Sequence, residues 1–300
     1  MIGFLAPGQG SQTPGMLAEW LDLPGAADRI AAWSQISGMD LARLGTTATA
    51  EEITDTAVTQ PLVVAATLLA HAELAERGLP ADVVVAGHSV GEIAAYAIAG
   101  VISADDAVRL ATVRGSGMAQ ACAAESTGMS AVLGGDEAEV LARLEALELI
   151  PANRNAAGQI VAAGTVAALE KLAEDPPARA RVRALATAGA FHTHYMASAL
   201  DGYAAAAAAV GVAEPTTTLL SNVDGQPVTS GADAMAKLVG QLTRPVRWDL
   251  CTETMRKLDV SALVEFPPAG ALTGIAKRDL RGVATHAVKT PADLDGLTDL

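Results

Sequence analysis

The residues best suited to covalent chemistry lie in Gly87-His88-Ser89-Val90-Gly91. A serine hydroxyl is a weak nucleophile, and G-x-S-x-G is a turn that exposes one. Its glycines let the chain bend sharply, and the hydroxyl then stands at the start of a helix. There the orphan amides and the helix dipole can hold negative charge on a substrate oxygen. A chain with 28 glycines in 300 residues yields the bare pentapeptide by chance only about 0.1 times, yet context has to decide its meaning. Residues 83–86 are Val-Val-Val-Ala, the β-branched run of a buried parallel strand. From Glu92 the pattern becomes Ala, Ile and Tyr with one charge, as in a buried helix. Strand, tight turn and helix predict a nucleophile elbow with Ser89 as nucleophile. The bland alternative is a glycine-rich turn whose serine only caps the helix.

A serine of this kind needs a base, and the chain holds 5 histidines. His88 adjoins Ser89, but in an elbow its side chain is expected on the opposite side of the turn. His71 reads as a structural histidine within a helix. His192 and His194 follow Gly189-Ala190-Phe191 at the end of an expected strand, where α/β sheets deliver catalytic groups. Spacing does not choose between them. No acid follows an obvious core strand between Ser89 and His192, unlike the Ser–acid–His order of α/β-hydrolases; a backbone carbonyl can orient an imidazole in place of a carboxylate. Arg114 lies in a helix among Ala111, Thr112, Val113, Gly115, Gly117 and Met118. It either snorkels to water or reaches a cavity to bind an anion, and the sequence leaves both open. Gln9 sits in Pro7-Gly8-Gln9-Gly10, after a first strand over residues 2–6. The third glycine of a dinucleotide fingerprint is missing there, and no acid ends a second strand, so the loop is not a Rossmann site.

The elements that must position these groups follow in order. Residues 15–80 read as mostly helical, with an amphipathic helix over 26–33, a helix starting at Thr49, and another opened by Gln60-Pro61 over 62–77. After the elbow comes a helix over 107–121. The rhythm then changes to strand 129–133, helix 136–147, strands 149–153 and 159–163, helix 165–173 and strand 180–185. That βαββαβ order is a ferredoxin-like unit. The predicted architecture is α/β: a hydrolase-like parallel-sheet domain over 1–124 and 189–300, with an inserted ferredoxin-like subdomain over 125–188. A helix is expected over 196–210, strands at 219–221 and 262–266, and helices over 232–242, from 245 through 257 and over 272–278. The acidic tail, 292–300, is expected to fray.

Composition excludes several functions. Half the residues are hydrophobic (51%) but only 3% are aromatic, so the core is aliphatic. A net charge of −14 argues against nucleic acid and against an anionic membrane surface. An acidic partner would have to meet a local basic patch, either Arg179, Arg181 and Arg183 or Lys277, Arg278 and Arg281. The longest apolar run, residues 61–70, is too short to span a bilayer, and MIGFLAPGQG lacks the basic start of a signal peptide. The 2 cysteines, Cys122 and Cys251, form no metal or disulfide framework. A cytoplasmic protein is expected, and a monomer, since no long exposed apolar stripe is evident.

Across essentially the whole chain the sequence resembles the malonyl-CoA:acyl carrier protein transacylase family of bacterial fatty-acid synthesis, of the actinobacterial type. The matching stretches are APGQGSQTPGM, DTAVTQP, GHSVGEIAAYAIAGVI, VRGSGM, NRNAAGQIVAAG, GAFHTHYM, SNVDGQPV, QLTRPVRW and EFPPAGALTGIAKR. The resemblance implies that Ser89 is acylated and that His192, four residues before Met196, is its base. It implies an oxyanion hole from the Gln9 and Val90 amides, and makes Arg114 the partner of the malonyl carboxylate. The histidine would be oriented by a main-chain carbonyl near Arg247, a place where the family often has Gln. Val90 and Phe191 resemble the malonyl-selective pattern rather than the methylmalonyl one. The implied reaction is ping-pong transfer from malonyl-CoA to the pantetheine thiol of acyl carrier protein, with no metal or redox cofactor. Two rivals remain: a serine hydrolase or thioesterase, marked by an acid on His192, and a non-catalytic docking module, marked by a Ser89 with no histidine in reach.

Overall fold

A computed structural model of the chain describes residues 1–78, 80 and 82–300. In chain order the strands are β1 (Ile2–Ala6), β2 (Val83–Gly87), β3 (Thr127–Gly134), β4 (Ile150–Ala156), β5 (Gln159–Thr165), β6 (Ala180–Ala184), β7 (Thr218–Leu219), β8 (Val246–Arg247), β9 (Ala262–Glu265) and β10 (Ala284–Ala287).

β10, β9, β1, β2 and β7 form a parallel sheet in that spatial order. Its strands are apolar at successive positions because both faces are covered. On one side Phe4, Ala6, Val85 and Val264 join the helices Thr56–Arg77, Gly91–Ile98 and Ala104–Cys122. On the other, Leu5, Val84, Ala86 and Leu263 pack with the helices Trp248–Lys257 and Ala271–Asp279. The chain moves outward from β1 through β2 to β7 and then returns to β9 on its other side, so β1 marks the reversal of strand order. Ligands of open α/β sheets bind beyond the carboxyl ends of the strands at such a place, and the loops after β1 and β2 carry Gln9 and Ser89.

The second sheet has the order β6-β3-β5-β4-β8. Its first four strands are antiparallel neighbours, the arrangement of a βαββαβ unit. The helices Glu137–Ala146 and Val166–Glu174 cover one face through Val132, Val140, Leu144, Ile160 and Leu172. The other face presents Met129, Val161 and Ala163 to Met118, Phe191 and Met196, fusing the two units. β8 comes from the C-terminal half and pairs in parallel with β4, so the inserted sheet is completed from outside its own segment.

Several local expectations change. Helix Thr56–Arg77 begins at an Asp55 cap, whose carboxylate accepts from the Ala57 amide at 2.8 Å, and Pro61 lies inside it rather than at its start. Thr49 and Glu52 do cap each other's amides, at 3.3 and 3.0 Å, yet only the 3₁₀ turn Glu52–Thr54 follows. The helix Thr56–Arg77 is also long and apolar enough, by length and composition, to cross a membrane, which the run at 61–70 concealed; 78% of its apolar window is buried in the core. Residues 196–210 divide into a 3₁₀ stretch, His194–Ala199, and a helix, Leu200–Ala208. The tail packs rather than frays: Leu294 and Leu297 enter the main core.

Candidate active site

The elbow forms because its glycines admit no alternative. A Cβ at Gly87 would lie 2.1 Å from the Gly91 carbonyl group, and one at Gly91 would lie 2.2 Å from the Ala6 oxygen. Between them Ser89 takes a left-handed conformation with φ 55°, uncommon outside glycine and a form of strain associated with functional sites. The residue lines a cavity of about 170 Å³ whose walls come from both units.

His192 meets it there, with Ser89 Oγ and His192 Nε2 2.7 Å apart. His192 Nδ1 lies 2.9 Å from the Gln241 carbonyl oxygen. A carbonyl only accepts, so Nδ1 carries the proton and Nε2 is left to accept from the serine. His194 is exposed and stacks on Tyr195 with ring centroids 4.2 Å apart, which decides between the two histidines. No strand runs up to His192 among the described residues, β6 having ended at Ala184. It lies in an irregular segment, has a φ of 60° and is buried.

The orienting carbonyl belongs to Gln241 and not to the neighbourhood of Arg247. Helix Gly231–Gly240 ends in the 3₁₀ turn Gln241–Thr243, where the Gln241 carbonyl accepts only a long 3.4 Å bond from the Arg244 amide and remains open to the imidazole. Arg247 is occupied elsewhere, in β8, with its guanidinium 2.8 Å from Asp249. His88 also departs from expectation. It stands on the cavity wall, with Nε2 2.9 Å from Asn155 Oδ1 and its ring 5.5 Å from that of Trp248. Burial pushes its pKa down.

Arg114 reaches the cavity rather than water, with only 1% of its surface exposed. Nη1 donates to Gln60 Oε1 at 2.8 Å, and Nη2 to Gln241 Oε1 at 2.9 Å and towards Ser89 Oγ at 3.4 Å. Nε has no partner. This buried cation faces neutral amides beside the serine, a setting suited to a substrate anion. Gln9 turns its side-chain amide to Thr56 Oγ1 at 3.1 Å. Among the described residues, no protein acceptor is bonded to the Gln9 or Val90 amides.

Sequence reasoning missed the scaffold behind the serine. Glu92, fully buried, accepts from Gln241 Nε2 and from the Asn222 amide, each at 2.6 Å. Asn222 Oδ1 accepts from the Ser89 amide at 2.9 Å, while its Nδ2 donates to the Gly87 carbonyl at 2.7 Å. Burial raises the Glu92 pKa to about 7. The signal available was the single charge in an apolar helix start. His192 is pushed the other way, down to about 3, first by burial and then by the Arg114 charge. It is therefore neutral at neutral pH, as a base must be.

The acyl transferase domain family matches residues 3–292 of the chain. A malonyl CoA-acyl carrier protein transacylase of Mycolicibacterium smegmatis is 77% identical over 290 residues, covering 95% of this chain and all of that one. The crystal structure of MCAT from Mycobacterium tuberculosis superposes with a TM-score of 0.97 and 73% identity, covering 99% of each chain. A malonyl-transacylase solved in complex with a type II PKS acyl-carrier protein has a TM-score of 0.94 at 31% identity, over 99% of each chain. The fold and the family match define an acyltransferase. The chain belongs to the malonyl CoA-acyl carrier protein transacylase family.

Proposed function

We propose that this chain moves a malonyl group from CoA to the pantetheine thiol of acyl carrier protein through an ester on Ser89. The contact that carries this is the 2.7 Å approach of Ser89 to a His192 whose tautomer is set by the Gln241 carbonyl, with Arg114 over the same cavity. His192 takes the hydroxyl proton as Ser89 attacks the thioester carbonyl. The Gln9 and Val90 amides receive the oxyanion, an interaction worth about 3 kcal/mol per donor in comparable sites. His192 then protonates the departing CoA thiolate. In the second half the carrier thiol gives its proton to His192 and attacks the ester; the bond to Ser89 Oγ breaks, His192 returns the proton to that oxygen, and the malonyl group leaves as a thioester on the carrier. Every proton and charge is handled by this chain's own groups, and CoA is a substrate rather than a cofactor. Arg114 holds the malonyl carboxylate and so selects against acetyl donors.

A hydrolase is the less favoured alternative, because His192 leans on a carbonyl and not on an acid. A pure docking module would not need a histidine 2.7 Å from Ser89. We further propose a monomer working in the cytoplasm; size-exclusion chromatography of the purified chain tests the first, and fractionation of the source cells the second. The chemistry is tested by intact-protein mass after brief exposure to malonyl-CoA, beside Ser89→Ala. A single malonyl adduct on the wild type alone, discharged by holo carrier faster than by water, is the expected result. Equal loss to water would make the chain a hydrolase.

A further inference from the structure

Three arginines from three separate segments converge on a cavity that the acyl-transfer chemistry does not use. Arg154 is in β4, Arg247 is in β8, and Arg244 follows the 3₁₀ turn Gln241–Thr243. With Pro151, Val223 and Pro245 they line a space of about 290 Å³, and no acidic side chain is among its walls. β4 separates this space from the Ser89 cavity. Asn153 and Asn155 line the Ser89 side. Arg154 pairs with Ile160 of β5, whose side chain enters the core beneath the small helices. Its guanidinium also lies 3.6 Å from Glu137, the first residue of one of those helices. Arg154 therefore takes the helix side of the sheet while its two neighbours face the serine.

Strand register brings like charges together. Arg154 and Arg247 are direct partners in the parallel pairing of β4 with β8. Paired positions on adjacent strands lie about 5 Å apart, so two guanidinium groups placed there repel. Asp249 holds Arg247 at 2.8 Å, whereas Glu137, more than half exposed, stands loosely beside Arg154. Arg244 is exposed and, among the described residues, in no ion pair. Three cations thus share two carboxylates, on a chain whose net charge is −14. The cavity also borders the scaffold behind the serine. Val223 follows Asn222, whose side chain accepts from the Ser89 amide at 2.9 Å. The Arg244 amide shares the Gln241 carbonyl with His192.

We propose that Arg154, Arg244 and Arg247 bind a phosphate group, as the free ion or as the end of a small phosphomonoester. A tetrahedral phosphate has oxygens enough to serve three guanidinium forks at once, and a carboxylate with two does not. Its charge offsets the repulsion between Arg154 and Arg247. An organic body attached to it can pack on Pro151, Val223 and Pro245. The bound anion steadies the two segments that carry Asn222 and Gln241, and so adds to the stability of the folded chain.

The test is titration calorimetry of the full chain with inorganic phosphate and with phenyl phosphate, at an ionic strength held constant with sodium chloride. Wild type is compared with Arg154→Gln and Arg247→Gln. Arg244→Gln, which breaks no ion pair, carries the comparison if either of the others loses stability. Expected is saturable binding at one site, weakened about tenfold or more by each substitution. Phosphate should raise the Tm of the wild type and leave that of the variants unmoved. Tighter binding of phenyl phosphate would identify a phosphomonoester, and equal binding the free ion. Without phosphate, Ser89 acylation by malonyl-CoA and transfer to holo carrier should match the wild type in every variant. No saturable binding, or binding unchanged by the substitutions, would overturn the proposal. A raised KM for malonyl-CoA or for holo carrier would also overturn it, by assigning the arginines to the substrates' own phosphates.

Discussion

Replacing Arg114 by Ala tests whether the buried guanidinium is a carboxylate clamp or a structural strut. In the free protein its nitrogens engage two neutral amide oxygens, Gln60 Oε1 and Gln241 Oε1, and Nε is unpartnered among the described residues. A malonyl carboxylate entering that setting gains a bidentate, charge-assisted pair, each hydrogen bond worth about 1.5–3 kcal/mol. Losing the pair should cost malonyl transfer about 4 kcal/mol, or about 10³-fold in kcat/KM. An acetyl donor offers no carboxylate and forfeits only what Arg114 does for Ser89 Oγ at 3.4 Å. Its rate should change by no more than about fivefold, since a long hydrogen bond contributes well under 1.5 kcal/mol.

The assay is CoA release and Ser89 adduct formation with malonyl-CoA and acetyl-CoA in parallel, and the quantity that matters is the ratio of the two losses. Truncation also strands the two glutamine oxygens, at about 1–3 kcal/mol each for buried unsatisfied groups. The variant should therefore have a lower Tm, and rates must be taken well below it. Arg114→Lys supplies a point charge without the planar fork and should fall between wild type and Arg114→Ala. Equal losses for malonyl and acetyl donors would refute the clamp and leave Arg114 as a support for Gln60 and Gln241.

Gly91→Ala places a methyl group 2.2 Å from the Ala6 oxygen, so the elbow or β1 must move; the expected result is a loss of about 3 kcal/mol in urea unfolding together with loss of the Ser89 adduct. His71, wedged against Phe4 and Phe266, has its pKa lowered from 6.5 to about 4 by burial. The unfolded chain therefore binds its proton first, and stability is lost as pH falls from 6.5 towards 4, by about 2 kcal/mol at pH 5. His71→Leu should flatten the decline of Tm between pH 7 and 5, and an unchanged slope would assign it to other groups. Glu92 has the opposite sign: a folded pKa of about 7 against 4.5 makes its contribution fall as pH rises through that window. Glu92→Gln turns one acceptor into a donor against Gln241 or Asn222, so kcat should drop while KM for malonyl-CoA holds; a changed KM alone would contradict a purely positioning role.

What could be read from the sequence was chemistry whose constraints are local. The elbow is legible because Gly87 and Gly91 are required by contacts within five residues and with the adjacent strand, and because β2 and its helix flank them in sequence. The βαββαβ order of residues 127–184 is legible because each strand and helix carries its own period. The orienting carbonyl was misplaced because a main-chain oxygen leaves no trace in residue identity. Which residue supplies it depends on where helix Gly231–Gly240 ends. Arg114 stayed ambiguous because a snorkelling arginine and a buried one share the same small-residue helix pattern; Gln60 and Gln241, 54 and 127 residues away, decide it. β8 was hidden for the same reason, since two residues next to a proline become a strand only beside β4.

The use of a carbonyl in place of a carboxylate behind His192 has an electrostatic consequence. Among the described residues no anion is hydrogen-bonded to the ring, and burial together with the nearby Arg114 cation disfavours imidazolium and pushes the pKa down to about 3. A malonyl carboxylate paired with Arg114 screens that cation, so the His192 pKa should be higher in malonyl-Ser89 enzyme than in free enzyme. The base then strengthens only when the correct acyl group is bound, and the carrier thiol is deprotonated more readily from the malonyl ester than from an acetyl ester. The acid limb of carrier transfer, measured from each isolated acyl-enzyme at low pH, reports this directly. The limb for malonyl-enzyme should lie at higher pH than that for acetyl-enzyme, because a histidine of higher pKa protonates sooner as pH falls. Coincident limbs would mean that Arg114 selects by binding alone and that its charge is not felt at the base.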